Sequence, residues 1–146
     1  MIKREPKLFF VDVYHSLEKI SYKSVKNHFV QIDEAMKVVD GYFIRKVSFD
    51  EIVITVTRSI DFAPKTLFSL VVESALYLQL DQDEKKFVGK KDELVKYTED
   101  NIETMINNSN LMETISLLIS QITSSYGAVP IITPPYFVRV VVKELS

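Results

Sequence analysis

Asn110-Leu-Met-Glu-Thr-Ile-Ser-Leu-Leu-Ile-Ser-Gln-Ile-Thr-Ser-Ser-Tyr126-Gly127-Ala-Val-Pro130-Ile-Ile-Thr-Pro134-Pro135-Tyr136-Phe137 is the stretch on which the architecture turns. Its first part reads as one long helix. Asn110 and Glu113 have the N-cap and N3 spacing of a capping box, in which each side chain satisfies a backbone amide that the helix start leaves free. Leu111, Ile115, Leu118 and Ile122 then recur at helical spacing, and Met112 and Ile119 widen the stripe. Gly127 supplies a residue that takes the left-handed conformation without steric cost, and so ends the helix. Pro130 forbids a return to helix, and Pro134-Pro135 keep the ribbon that follows extended and short of amide donors. A helix that feeds an apolar, partly unpairable ribbon suits the binding of a partner better than catalysis. The plainer account is a core helix followed by an edge strand.

Upstream, Leu67 to Leu80 carries the clearest strand pattern. Phe68, Leu70, Val72, Leu76, Leu78 and Leu80 share one parity, interrupted only by Ser74. Ser69, Glu73, Tyr77 and Gln79 share the other, mixed with Leu67, Val71 and Ala75. Such alternation predicts an antiparallel strand with one fully buried face. The second face is half-apolar, which admits two accounts: scattered surface apolar residues, or a face covered by a second subunit. Nearer the N-terminus, Phe9, Val11, Val13 and Leu17 alternate with Phe10, Asp12 and Tyr14, predicting a strand that ends at Tyr22. His28 to Val39 reads as helix or strand. Asp40-Gly41 predicts a turn. Tyr42 to Ile60 is rich in β-branched and aromatic residues and predicts strands, interrupted at Ser48-Phe49-Asp50-Glu51; Asp61-Phe62-Ala63-Pro64 predicts the next turn. After a polar loop, Asp92 and Glu93 open a second helix with charge favourable to its dipole. Val95, Ile102, Met105 and Ile106 form its stripe, and Asn107 to Asn110 break it before the long helix.

Composition restricts the function classes. A chain of 146 residues, 47% hydrophobic, fits a single domain spanning residues 1–146 that buries its own core. A formal charge of −2 gives no general attraction to nucleic acid or anionic membrane. The absence of cysteine excludes disulfides and thiolate zinc sites and agrees with a reducing, cytoplasmic setting. No signal peptide and no run of eighteen apolar residues is present, so membrane insertion is not expected. His15 and His28 have no carboxylate or second histidine at metal-ligand spacing, and Gly41, Gly89 and Gly127 are too dispersed for a phosphate loop. The Asp81-Gln-Asp-Glu loop lacks the glycine and distal glutamate of an EF-hand. Lys85, Lys86, Lys90 and Lys91 are offset by neighbouring acids and read as a solvated loop. No catalytic constellation, metal site or cofactor is expected; what remains is apolar surface.

The order and spacing of these pieces resemble the SecB family of export chaperones and their SecB-like relatives over most of the chain. The long helix closing on Thr-Ser-Ser-Tyr-Gly, then Pro130, Pro135 and Tyr136-Phe137, is similar to the family's Pro-x-x-x-x-Pro-x-x-Phe segment. Thr66 to Tyr77 resembles its fourth strand, Ile52 to Thr57 its third, and Leu17 to Tyr22 the end of its first; the family places its second strand in the ambiguous stretch. The resemblance implies an α+β fold, a four-stranded antiparallel sheet with two helices packed on one face. It implies a holdase that covers unfolded polypeptide in apolar grooves, linked to protein export or to a toxin–antitoxin system. The alternative is a dedicated adaptor or antitoxin-like protein with one client. The client positions it implies are Leu111, Met112, Tyr126, Pro130, Ile132, Pro135 and Tyr136, with Leu111, Met112, Tyr126 and Tyr136 expected to present surface. It further implies a dimer or tetramer, with Leu67, Val71, Ala75 and Tyr77 as the covered face. Three departures separate the chain from SecB proper. Lys19 and Lys23 replace the acidic residues that dock the SecA motor, so SecA docking of that type is not expected. Ser109-Asn110-Leu111 replaces Phe-Pro-Tyr at the long-helix start. The strand-like Val138 to Val142 leaves no room before Ser146 for most of the C-terminal helix.

Overall fold

The computed structural model describes residues 10–24, 34–63, 68–80, 90–126 and 130–145. Five strands, β1 (Phe10–Ser24), β2 (Glu34–Val47), β3 (Glu51–Ala63), β4 (Phe68–Leu80) and β5 (Val140–Leu145), form one sheet in the order β1-β4-β3-β2-β5. All four pairings are antiparallel. The expected four strands are present, and the tail that looked strand-like adds β5 against Glu34–Val39 of β2. The ambiguous stretch resolves as strand from Glu34 onward, its earlier part lying outside the described residues.

Asp40-Gly41 makes no turn; both residues sit inside β2. Local preference loses here because the Asp40 carboxylate is buried against Arg58 of β3, a partner invisible to any short window. The turn between β2 and β3 is where Ser48 to Asp50 placed it. There the Ser48 hydroxyl donates to the Glu51 carbonyl at 3.0 Å and accepts the Glu51 amide at 3.1 Å.

The register assigns one sheet face to Phe68, Leu70, Val72, Leu76, Leu78 and Leu80 of β4, Ile52, Ile54, Val56 and Ile60 of β3, and Met36 and Val38 of β2. All are buried beneath three helices, α1 (Lys91–Asp100), α2 (Ile102–Asn108) and α3 (Leu111–Tyr126). The single helix expected from Asp92 is divided at Asn101, whose side-chain amide donates to the Tyr97 carbonyl at 2.9 Å and closes α1. The break before α3 is also built differently from a capping box. Asn110 takes the left-handed conformation, φ 63°, and the Ser109 hydroxyl accepts the Leu111 amide at 3.2 Å. Leu111, Met112, Ile115 and Ile119 of α3 seal the core. The glycine stop at Gly127 lies outside the described residues.

On the opposite sheet face the expected subunit contact is altered. Ala75 is fully buried within one chain, so a second copy has nothing there to cover. The cause is a strap. Arg45 of β2 and Glu18 of β1, each at a register irregularity, form a two-pronged ion pair, and β4 and β3 lie between their strands. Their side chains therefore span the row that holds Ala75 and Thr55. Tyr77 stacks on Tyr14 of β1, centroids 4.7 Å apart and nearly parallel. Val71 is half-buried, and Leu67 lies outside the described residues. A strand in the middle of a sheet has its outer face partly closed by its neighbours, which period-two reading of one strand does not reveal.

Candidate functional site

The two helices α2 and α3 separate two apolar flanks on the helical face of the sheet. The first is the ribbon, Pro130 to Arg139, which runs back along them. The Ile131 amide donates to the Thr123 hydroxyl at 2.8 Å, the Ser116 hydroxyl to the Thr133 carbonyl at 2.7 Å, and the Phe137 amide to the Asn107 side chain at 2.7 Å. Arg139 and Glu103 pair at 2.9 Å at its far end. Asn107 can do this because it lies off the buried stripe of α2, and Thr123 because it prolongs the buried stripe of α3 one turn past Ile119, where the ribbon begins.

From below, the ribbon is held by charge. Arg58 stands among Ile54, Val56 and Ile60 on the buried face of β3 and is 0% exposed. Its Nε and Nη2 donate to the two Asp40 oxygens at 2.7 Å each. Nη1 donates to the Thr133 hydroxyl at 2.9 Å and to the Pro134 carbonyl at 2.6 Å, and Nη2 also reaches the Tyr136 carbonyl at 2.9 Å. Asp40 in turn accepts the Val138 amide at 2.8 Å. A buried guanidinium is tolerable only where its donors are satisfied, and here the guanidinium has five partners. With these groups turned inward, Ile132, Pro135 and Tyr136 face outward; Ile132 is 73% and Tyr136 55% exposed. Phe137 points into the core and meets Tyr42 of β2, ring centroids 6.0 Å apart.

The second flank lies between the helices and β1. Phe10, Val13, His15, Leu17, Ile20 and Tyr22 share the helical face by register, yet Val13, Leu17 and Ile20 are exposed because β1 is the sheet edge and the helices stop short of it. Two cavities open there. One, about 360 Å³, is lined by Phe10, Val13, Leu78 and Met105 with Tyr97, Asn101 and Asn108. The other, about 390 Å³, is lined by His15, Leu17, Ser74, Ile115, Leu117 and Leu118. Leu117 is 67% exposed, on the side of α3 turned to β1. Tyr126 closes the groove end against Tyr22, centroids 5.7 Å apart.

The structure thus divides the seven client positions read from sequence. Pro130, Ile132, Pro135 and Tyr136 lie together on the ribbon, and Tyr126 lies at the end of α3, all exposed. Leu111 and Met112, expected to present surface, are 0% and 1% exposed and belong to the core. The apolar stripe of α3 is wide enough to reach the sheet with both, and a side chain enclosed by its own chain has no area for a client. Leu17, Ile20 and Leu117 were not singled out, although β1's alternation and the off-stripe position of Leu117 could have marked them. Arg58 was also missed; its signal is a charge at the buried parity of β3.

Among the described residues no His, Cys, Asp and Glu cluster could hold a metal ion, and no helix is long and apolar enough to cross a membrane. An antiparallel sheet covered on one face by helices, with apolar flanks on either side of them, defines a SecB-like α+β fold. The chain is similar to the SecB-like chaperone Rv1957 of Mycobacterium tuberculosis, solved in complex with a ChAD peptide from the Rv1956 HigA1 antitoxin. The TM-score is 0.55 at 12% identity, over 87% of this chain and 86% of that one. No protein-family model matches the sequence, and no curated protein does.

Proposed function

We propose that this protein is a chaperone that binds extended, non-native polypeptide on the ribbon flank, through Ile132, Pro135 and Tyr136 with Pro130 at its margin, while Tyr126 stands at the end of the β1 groove. One observation carries the reading. The ribbon's exposed apolar side chains stand on a backbone whose polar groups are drawn inward to Thr123, Ser116, Asn107, Arg58 and Asp40. A surface of this kind offers apolar area without competing local hydrogen bonds and needs no reactive group. At about 25 cal/mol per Å² of apolar area, a few such side chains give weak contacts that an assembly multiplies.

Assembly belongs to the other flank. An edge strand of 15 residues with exposed Val13, Leu17 and Ile20 continues the core outward, and the side of β1 that has no strand partner among the described residues has backbone groups to share. A second copy covering this edge is the simplest way to complete both, giving a homodimer or a pair of dimers. Client identity is a narrower matter. The peptide seated on the mycobacterial neighbour supports a partner that is a segment of another protein, and a dedicated client in a toxin–antitoxin system is the second reading.

The test is the Ile132→Ser/Tyr136→Ser variant. Both side chains are largely solvent-facing, so its thermal unfolding should stay within about 1 kcal/mol of the parent. Its suppression of aggregation of a chemically unfolded test protein should fall at least several-fold. Undiminished suppression by the folded variant would remove the ribbon as the client site.

A further inference from the structure

We propose that Arg58, with Asp40, is the positioning residue of the client ribbon: the buried pair dictates which side chains between Thr133 and Val138 face outward. This rests on the ribbon being the client surface. Two prolines create the need for such a pair. Pro134 and Pro135 have no N–H, so this stretch cannot enter a strand ladder, and its carbonyls need a donor from elsewhere. Arg58 supplies it twice, to the Pro134 and Tyr136 carbonyls, and supplies a third contact to the Thr133 hydroxyl.

The spacing of these contacts matters. Alternate carbonyls, at Pro134 and Tyr136, are drawn to one guanidinium, which turns the intervening Pro135 away from the sheet. Asp40 then takes the Val138 amide while its own amide donates to the Val138 carbonyl at 3.1 Å, so the chain enters β5 in register with β2. A Lys at the same place would keep the charge. It could not reproduce the planar fork that addresses Asp40 and the ribbon at once.

Replacing a buried ion pair by apolar groups often leaves a fold intact, so a core requirement alone does not explain a pair of this geometry. Ordering the ribbon in advance spares a client the loss of freedom on binding, and that is what the pair contributes.

Arg58→Lys and the paired change Asp40→Leu/Arg58→Met test this. In each, hydrogen exchange is followed at Phe137 and Val138 of the ribbon and at the β3–β4 ladder, and affinity is measured for a permanently unfolded test polypeptide. The expected result is faster exchange at the ribbon, an unaltered β3–β4 ladder, and binding weaker by about tenfold. Ribbon protection that survives both changes overturns the proposal. So does accelerated exchange with unchanged affinity. Global unfolding of both variants, seen as loss of β3–β4 protection, also overturns it, because the pair would then hold the core rather than aim the ribbon. The Ile132→Ser/Tyr136→Ser variant separates the two readings. If it binds as well as the parent, the client site is misplaced; if it loses binding while the Arg58 variants retain it, only the positioning role falls.

Discussion

At the scale of single residues, the difference between surface and core on α3 sets the first expectation. Leu111 and Met112 are enclosed by sheet and helices, so Leu111→Ala or Met112→Ala should cost about 2–5 kcal/mol, read as a shift of the urea midpoint. If either variant were neutral, the residue would be lining a surface after all. Asn110 gives a second. Its φ of 63° is a conformation in which a Cβ crowds the following carbonyl, which asparagine tolerates better than most residues. Asn110→Gly should be close to neutral and Asn110→Ala should cost about 1 kcal/mol; equal stabilities would contradict the role assigned to its backbone. The sequence made Asn110 legible as the start of α3 but misread the means, because Asn favours N-caps and left-handed positions alike. Asp40 was misread for a related reason. Next to a glycine it has the local chemistry of a turn, and only Arg58, eighteen positions along, makes it a buried strand residue.

Among the elements, those whose partners repeat along the chain were readable and those defined by position in the sheet were not. The alternation of Phe68 to Leu80 announced β4 and its buried face, and the register bears out that parity. It could not say that β4 lies second in the sheet, between β1 and β3, nor that Glu18 and Arg45 bridge its outer side. The subunit contact assigned to Ala75 was lost for that reason. The ribbon was legible as proline-rich and apolar, but not its attachment, since the residues that hold it come from α2, α3, β2 and β3. The edge position of β1 gives the expectation at this scale. Leu17→Lys places an ammonium on its exposed helical face, and by the proposed assembly through β1 it should yield a folded monomer in light scattering at micromolar concentration. Retained assembly would place the contact elsewhere.

For the whole molecule, the proposed recognition of a client by apolar area predicts indifference to salt. With a net charge of −2 and exposed aromatic and aliphatic side chains at the ribbon, client binding should change by less than about twofold between 0.1 and 1 M NaCl, a range over which the screening length falls from about 10 to about 3 Å. A steep loss of affinity would mean that Lys and Arg, not the ribbon, hold the client. The two ends of the sheet are unequal in a way that reaches beyond binding. On one side β2 is occupied over Glu34 to Val39 by the six residues of β5, Asp40 is tied to Val138, and the remaining length carries a register shift between Ile44 and Lys46 with Arg45 and Lys46 beside it. On the other, the outer side of the 15-residue β1 has no strand partner among the described residues. Strand-on-strand growth needs two comparable edges, and here they differ: β5 offers six residues at the far edge against the 15 of β1, so a pairing that joins β1 to β1 would use the long edge of each copy and leave only the short one for further growth.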